Sequence, residues 1–211
     1  MKKVLILDLD NTIYPVSSIS ENLFGQLFKV LDEYSDTINI GDTEQVNKIK
    51  DEMTRRPFQH IADEYHLSDE LRNRITDTLK NLSYDLPMLP YEDYAYIRSI
   101  TLDKFLVTTG FMKLQLSKVK MLGIEQDFKG IHIVDPEVSP KTKKDVFADI
   151  MKEHNFEAEE LLIIGDDPQS EIKAAKELGI DTFLYDSENR HPNAVATYKA
   201  NSLKEVLNIL L

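Results

Sequence analysis

The sequence predicts an α/β fold: a doubly wound parallel sheet with an inserted all-helical cap. Three observations predict it. Short apolar runs are each bounded by charged or turn residues. Helical stripes sit between the later runs. Between residues about 17 and 85 the alternation breaks off and only helical patterns remain.

The runs are Lys3–Leu7, Lys104–Val107, Ile131–Val134, Leu161–Ile164 and Thr182–Tyr185. Strands covered on both faces read as continuous apolar stretches, as these do. Leu114, Leu116, Val119 and Leu122 form a helical stripe stopped by Gly123. Val146, Phe147, Ile150 and Met151 form a second, and Ile172, Ala175 and Leu178 a third, closed by Gly179. Ser202 with Glu205 reads as a capping box for a last helix ending near Leu211. Strand and helix in alternation imply a parallel sheet.

In the insertion, Ser18 with Glu21 predicts a helix carrying Leu23, Leu27, Val30, Leu31 and Tyr34. Asp42 with Gln45 predicts a second helix, Pro57 interrupts the next stretch, and Ser68 caps another. The expected division is a core of residues 1–15 and 86–211 and a cap of residues 16–85.

Twenty-five basic against 37 acidic residues give a formal charge of −12, which opposes binding to a nucleic-acid polymer. A small anion is still compatible with a local cluster of lysine and metal. Cysteine is absent, so neither a thiolate nucleophile nor a zinc–sulfur site is available. No run nears the roughly 20 apolar residues of a membrane span. The expectation is a cytoplasmic protein without a membrane partner, a monomer being the simplest assembly.

Asp8-Leu9-Asp10-Asn11-Thr12 follows directly on the first apolar run. Ligands of open parallel sheets bind at the carboxyl ends of strands. Residues two apart in extended chain face the same side, so the two carboxylates would repel unless a cation or a proton came between them. A carboxylate can attack phosphorus, and a second can move the proton. Asp8 best fits the nucleophile and Asp10 the acid–base. Such a stretch also occurs as a plain turn or helix cap. A calcium loop is excluded, because its sixth and twelfth positions hold Ile13 and Ile19 instead of Gly and Glu.

Three further pieces follow. Thr108 and Thr109 end the second run before Gly110, where a hydroxyl suits a phosphate oxygen. Lys141 stands before the helix of Phe147 with Lys143 and Lys144 close by, and its ammonium would neutralise phosphate charge. Gly165-Asp166-Asp167-Pro168, then Glu171, ends an apolar strand in paired acids, the oxygen ligands that Mg²⁺ prefers.

Taken in order, these four pieces resemble the motifs of the haloacid dehalogenase-like hydrolase superfamily across essentially the whole chain. The wording Asp8-Leu9-Asp10-Asn11-Thr12-Ile13-Tyr14 looks most like its pyrimidine-nucleotidase-like phosphatases. The resemblance implies a Mg²⁺-dependent phosphatase acting on a small phosphorylated metabolite, a nucleotide or sugar phosphate, through an aspartyl-phosphate. It implies Asp8 as nucleophile and metal ligand, Asp10 as acid–base with a metal-binding carbonyl, and Thr108 and Lys141 on the phosphoryl group. Asp166 would be the third protein ligand, supported by Asp167 or Glu171, with Asn11 and Thr109 on the substrate side. Thr109 stands where the family often has Asn, Thr142 where Pro is frequent, and Glu171 where Asp is usual.

A haloacid dehalogenase, a phosphomutase and a non-catalytic ligand-binding descendant share the fold, and a receiver domain shares the aspartate cluster. Asp10 and Asp166 count against the dehalogenase. In the cap, Arg55 and Arg56 are candidates for facing the substrate, against the reading of a solvated helix end. The five histidines show no ligand spacing, and Tyr14 is expected to pack between cap and core, with stacking on a base as the alternative.

Overall fold

Side chains alternate across a strand, and that period builds two cores on one sheet. In β1 (Val4–Leu7), Leu5 and Leu7 enter one apolar cluster while Val4 and Ile6 enter another, all fully buried. The same division runs through β2 (Asp103–Thr109), where Leu106 joins the first cluster and Phe105 and Val107 the second. In β4 (Leu161–Gly165), Leu162 and Ile164 face the first cluster, Leu161 and Ile163 the second. With β3 (Gly130–Val134), β5 (Asp181–Tyr185) and β6 (Tyr198–Ala200), these strands form one parallel sheet ordered β3-β2-β1-β4-β5-β6. The computed structural model describes residues 1–19, 21–35, 43–53 and 58–210.

α7 (Lys143–His154) and α8 (Glu171–Lys176) cover the second face through Val146, Phe147, Ile150 and Ala175. α5 (Tyr94–Ser99), α6 (Met112–Leu122) and α9 (Glu205–Leu210) cover the first. Each fully buried Leu or Ile contributes about 1.5–3 kcal/mol of transfer free energy, so these stripes hold the three layers together.

Between β1 and β2 lie α1 (Glu21–Ser35), α2 (Thr43–Met53), α3 (Phe58–Glu64) and α4 (Asp69–Asn81). Leu27, Leu31, Ile49, Ile61, Leu71 and Ile75 pack them into the first cluster. α4 also lies against α6. Lys80 pairs with Glu137 in the segment after β3 at 3.0 Å, tying these helices to the sheet's carboxyl end. No helix among the described residues is long and apolar enough to cross a membrane.

Local expectations meet mixed outcomes. Ser68 caps α4, accepting from the Leu71 N–H at 3.3 Å, and Gly123 ends α6 at φ 64°. Ser18 does not cap α1: it lies in a single tight turn, its hydroxyl donating to the Pro15 carbonyl at 2.6 Å. Ser202 heads a turn, its carbonyl accepting from the N–H of Glu205, with which α9 begins. Asp42, Arg55, Arg56, Pro57 and Leu211 lie outside the described residues.

Candidate active site

The register brings distant segments to one edge. β1 pairs Leu7 with Leu106 on one side and Ile164 on the other. Asp8 therefore emerges beside the end of β4, its N–H donating to the Ile164 carbonyl at 3.0 Å. Thr108 and Asp166 arise at the same carboxyl edge. The chain then turns tightly, with Ile13 N–H on the Leu9 carbonyl at 2.9 Å. Asn11 sits at φ 55°, a left-handed position that Asn tolerates, and its side chain accepts from Val16 N–H at 3.1 Å.

Asp8, Asp166 and Glu171 gather with carboxylate oxygens within 4.8 Å of one another. Lys143 reaches into this group and donates to Asp8 Oδ1 at 2.6 Å and to Glu171 Oε2 at 2.7 Å. All three of these side chains are buried. Burial raises the Asp8 carboxyl to about 7 despite the Lys143 charge. Burial, with Glu171 and Asp8 nearby, holds Asp166 well above the usual carboxylate range. Burial opposes the Lys143 charge, but Asp8 and Glu171 more than offset it, and the ammonium is raised.

Asp10 has a separate set of partners. Lys118 Nζ donates to its Oδ1 at 2.8 Å and Gln115 Nε2 to its Oδ2 at 2.9 Å, while the Tyr14 hydroxyl makes a short hydrogen bond to Oδ1. Burial pushes the Asp10 carboxyl up, yet Lys118, Tyr14 and Gln115 together hold it below its ordinary value. Tyr14 is fully buried, and burial with Asp10 beside it keeps its phenol protonated. Thr108 is buried, and its Oγ1 accepts from the same Gln115 amide at 2.8 Å, leaving the hydroxyl proton for another acceptor. The Thr109 carbonyl accepts from Gln115 at 3.1 Å. The Gln115 Oε1 is buried with no partner among the described residues, so the contacts that orient the amide are those of its nitrogen.

Two sequence assignments are corrected. Lys141 is not at the site: it lies exposed and pairs with Asp149 at 2.7 Å. Thr142 is the N-cap of α7, bonded reciprocally with Asp145, so Lys141 precedes the helix and Lys143 occupies its first turn. Asp167 stands outside the acidic group: its exposed carboxylate accepts from the Gln169 N–H at 2.7 Å, tying its own turn. Its backbone N–H instead donates to Glu171 Oε1 at 2.7 Å. Both Glu171 oxygens are thus engaged, and Glu171 supports the site through Lys143. Asp8 and Asp10 each also have an ammonium group of their own, Lys143 and Lys118.

Lys118, Gln115 and Lys143 were not assigned from the sequence. A signal for Lys143 was present in Thr142-Lys143-Lys144-Asp145, the spacing of a capping box. Gln115 and Lys118 carry no such signal. Asn11 and Asp166 line a small crevice with Tyr91, Tyr185 and Asp186.

Four carboxyl groups, those of Asp8, Asp10, Asp166 and Glu171, face two ammonium groups, so ionising all four would leave two negative charges uncompensated. Clustered buried carboxylates call for a counter-ion. The donor set is all oxygen, as Mg²⁺ prefers. Asp8 and Asp166 are therefore suited to hold a divalent cation.

The family model described as haloacid dehalogenase-like hydrolase matches residues 5–185. YfnB of Bacillus subtilis (strain 168) is 30% identical over 111 residues, which span 51% of this chain and 47% of that protein, about half its length. The crystal structure of YfnB bound to magnesium superposes with a TM-score of 0.60 at 19% identity, covering 99% of this chain and 98% of that one. A HAD phosphatase from Thermococcus onnurineus superposes with a TM-score of 0.63 at 22% identity, covering 100% and 98%. The L-2-haloacid dehalogenase of Xanthobacter autotrophicus does so at 0.60 and 14%, covering 100% and 98%. At these identities the superpositions establish the fold.

Proposed function

The chain belongs to the haloacid dehalogenase-like hydrolase family, and from that premise we propose that it is a Mg²⁺-dependent phosphatase of small phosphate monoesters. The observation that carries this reading is the second carboxylate, Asp10, held by Lys118, Tyr14 and Gln115 beside the nucleophile strand. Displacing a halide needs no proton, whereas an alkoxide leaving from phosphorus does. The magnesium-bound relative and the acidic group of Asp8 and Asp166 support the metal.

In this reading Asp8 attacks phosphorus through a carboxylate oxygen and forms an aspartyl-phosphate. Asp10, ionised in the free site, relays the proton of a monoanionic ester to the departing alcohol, then takes one from the water that hydrolyses the intermediate and passes it to the released phosphate. Lys143 and the Thr108 hydroxyl face the phosphoryl oxygens. Glu171 holds Lys143 in place. Asp8 and Asp166, with the Asp10 carbonyl, would hold Mg²⁺, which would supply charge neutralisation at those oxygens.

The helices of residues 16–85 act as the cap in this proposal, with the domain bounds expected from the sequence. Their tie to the core through Lys80 and Glu137 supports that role, since it seats them at the edge where Asp8 emerges. A nucleotide or sugar monophosphate is the proposed substrate class, with Asn11 and Thr109 on its side of the site. Arg56 keeps its proposed substrate role only as an expectation of the sequence.

The test is phosphate release from a panel of nucleotide and sugar monophosphates, with Mg²⁺ and with EDTA. Wild type is expected to release phosphate only with the metal, and Asp10→Asn to lose about 10²–10⁴-fold. Halide release from 2-haloacids with no phosphate release would reverse the reading in favour of the dehalogenase. Transfer of phosphate between sugar positions without net release would favour a mutase.

A further inference from the structure

We propose that Lys118, Tyr14 and Gln115 are positioning residues that aim the Asp10 carboxyl at the leaving-group oxygen, an inference that rests on the phosphatase reading. Three donors converge on one carboxylate. Lys118 and Tyr14 take Oδ1, and Gln115 takes Oδ2. The last torsion of an aspartate is broad when free. Contacts to both oxygens remove that freedom, and general acid catalysis depends on placing the proton within hydrogen-bond reach of its acceptor.

The cradle also links the two halves of the site. Gln115 and Lys118 lie three apart on α6, so they share a helix face. The Gln115 amide nitrogen bridges Asp10 Oδ2 and Thr108 Oγ1 at 2.9 and 2.8 Å. Gly110 leaves room for it, since a Cβ there would meet Gln115 Cδ and Cγ at 3.1 Å. The group that would touch the phosphate and the group that would protonate the alcohol are thereby set relative to each other. Lys118 additionally lies over the Tyr14 ring, 5.9 Å from its centroid.

Stability alone gives no reason for this arrangement. Replacing a buried ion pair by apolar side chains is often neutral, and Gln115 leaves Oε1 without a partner among the described residues. Lys118 is 6% exposed, in a helix whose neighbours Leu114, Val119 and Leu122 are buried apolar residues. Orientation of Asp10 accounts for both features.

In the step concerned, an Asp8 oxygen bonds to phosphorus and the ester P–O bond breaks, its electron pair going to the leaving oxygen. That oxygen takes a proton through Asp10, whose ionised carboxylate collects it from the monoanionic ester. Asp10 later takes a proton from water as the water oxygen attacks the aspartyl-phosphate, and passes it to the released phosphate, so ester and water become alcohol and phosphate.

The experiment compares p-nitrophenyl phosphate, whose phenolate leaves without a proton, with propyl phosphate, whose alkoxide needs one. The parameter is kcat/KM, which reports events up to the first phosphoryl transfer. Lys118→Met is expected to lose at least about tenfold more on the propyl ester than on the nitrophenyl ester, with Lys118→Arg recovering part of the difference. Tyr14→Phe, which removes one hydroxyl, is expected to show the same asymmetry and replaces Lys118→Met if that variant does not fold. Equal losses on both esters, with wild type active, would overturn the positioning role. A wild type inactive on every phosphate ester with Mg²⁺ would overturn the phosphatase reading, and this inference with it.

Discussion

The Lys143 ammonium bridges Asp8 and Glu171, at 2.6 Å and 2.7 Å, with all three side chains buried. Removing it leaves clustered carboxylates without their counter-charge. Lys143→Met is expected to lower activity about 10²–10³-fold, as for loss of one electrostatic stabiliser. In EDTA at pH 8 it is expected to lose about 3 kcal/mol of stability. The loss should shrink at pH 5, where Asp8 carries a proton. Lys141→Met, on a residue that pairs with Asp149 at the surface, is expected to keep activity within about twofold. Steady-state rates and urea unfolding of the two variants check the pair. Equal activity losses would place the working ammonium on the wrong residue.

Gly165 is small because Glu171 occupies its side-chain space. A Cβ at Gly165 would lie 2.2 Å from Glu171 Oε1 and 2.3 Å from its Cγ. Gly165→Ala therefore displaces the carboxylate that holds Lys143 and the Asp167 N–H. The expected cost is about 1–3 kcal/mol in urea unfolding, with activity down at least about tenfold. The double variant Gly165→Ala/Glu171→Ala should recover the stability and leave the activity low. An alanine at 165 that changes neither quantity would show that Glu171 has other room.

The start of α7 carries the working lysine, so its cap should matter to catalysis. Thr142 accepts from the Asp145 N–H, and Asp145 accepts from the Thr142 N–H at 2.8 Å. Thr142→Ala is expected to cost about 1 kcal/mol, and Thr142→Ser much less. Because Lys143 sits in that first turn, kcat is expected to fall for Thr142→Ala while Thr142→Ser stays near wild type. Circular-dichroism melts and initial rates measure both.

Strands covered on two faces were legible because burial on both sides leaves only apolar residues, as in Val4–Leu7 and Leu161–Ile164. β6 was not, because Tyr198 and Lys199 are exposed at the sheet's edge and leave no apolar run. The acids at strand ends announced themselves, since Asp8 and Asp166 each follow a buried run directly. The basic side did not. Lys141, Lys143 and Lys144 all lie within six residues of Phe147, and local pattern does not choose among them until Thr142 is recognised as the cap. Lys118 falls beside the apolar stripe of α6, and a buried lysine there reads like a solvated one. Its role depends on Asp10, 108 residues away, which local pattern does not reach.

Metal binding and pH should be coupled, with a sign fixed by the carboxyls. Burial raises Asp8 from 3.8 to about 7 and raises Asp166 well above 3.8, so the metal-free folded protein holds protons that the unfolded chain has released. Stability from these groups is fully present below pH about 4 and is lost as pH rises toward 7, because the folded state binds more protons in that window. A divalent cation needs the ionised carboxylates, so it must displace those protons. Mg²⁺ affinity is therefore expected to rise with pH through about 7, and binding at pH 6 should release protons. Two measurements check this. The rise in thermal midpoint on adding Mg²⁺ over EDTA should grow from pH 5 to pH 7.5. Calorimetric enthalpies at pH 6 should differ between buffers of unlike ionisation enthalpy, in proportion to the protons taken up by buffer. A midpoint increment that stays constant across that range, with buffer-independent enthalpies, would mean that Asp8 and Asp166 are already ionised before the cation arrives.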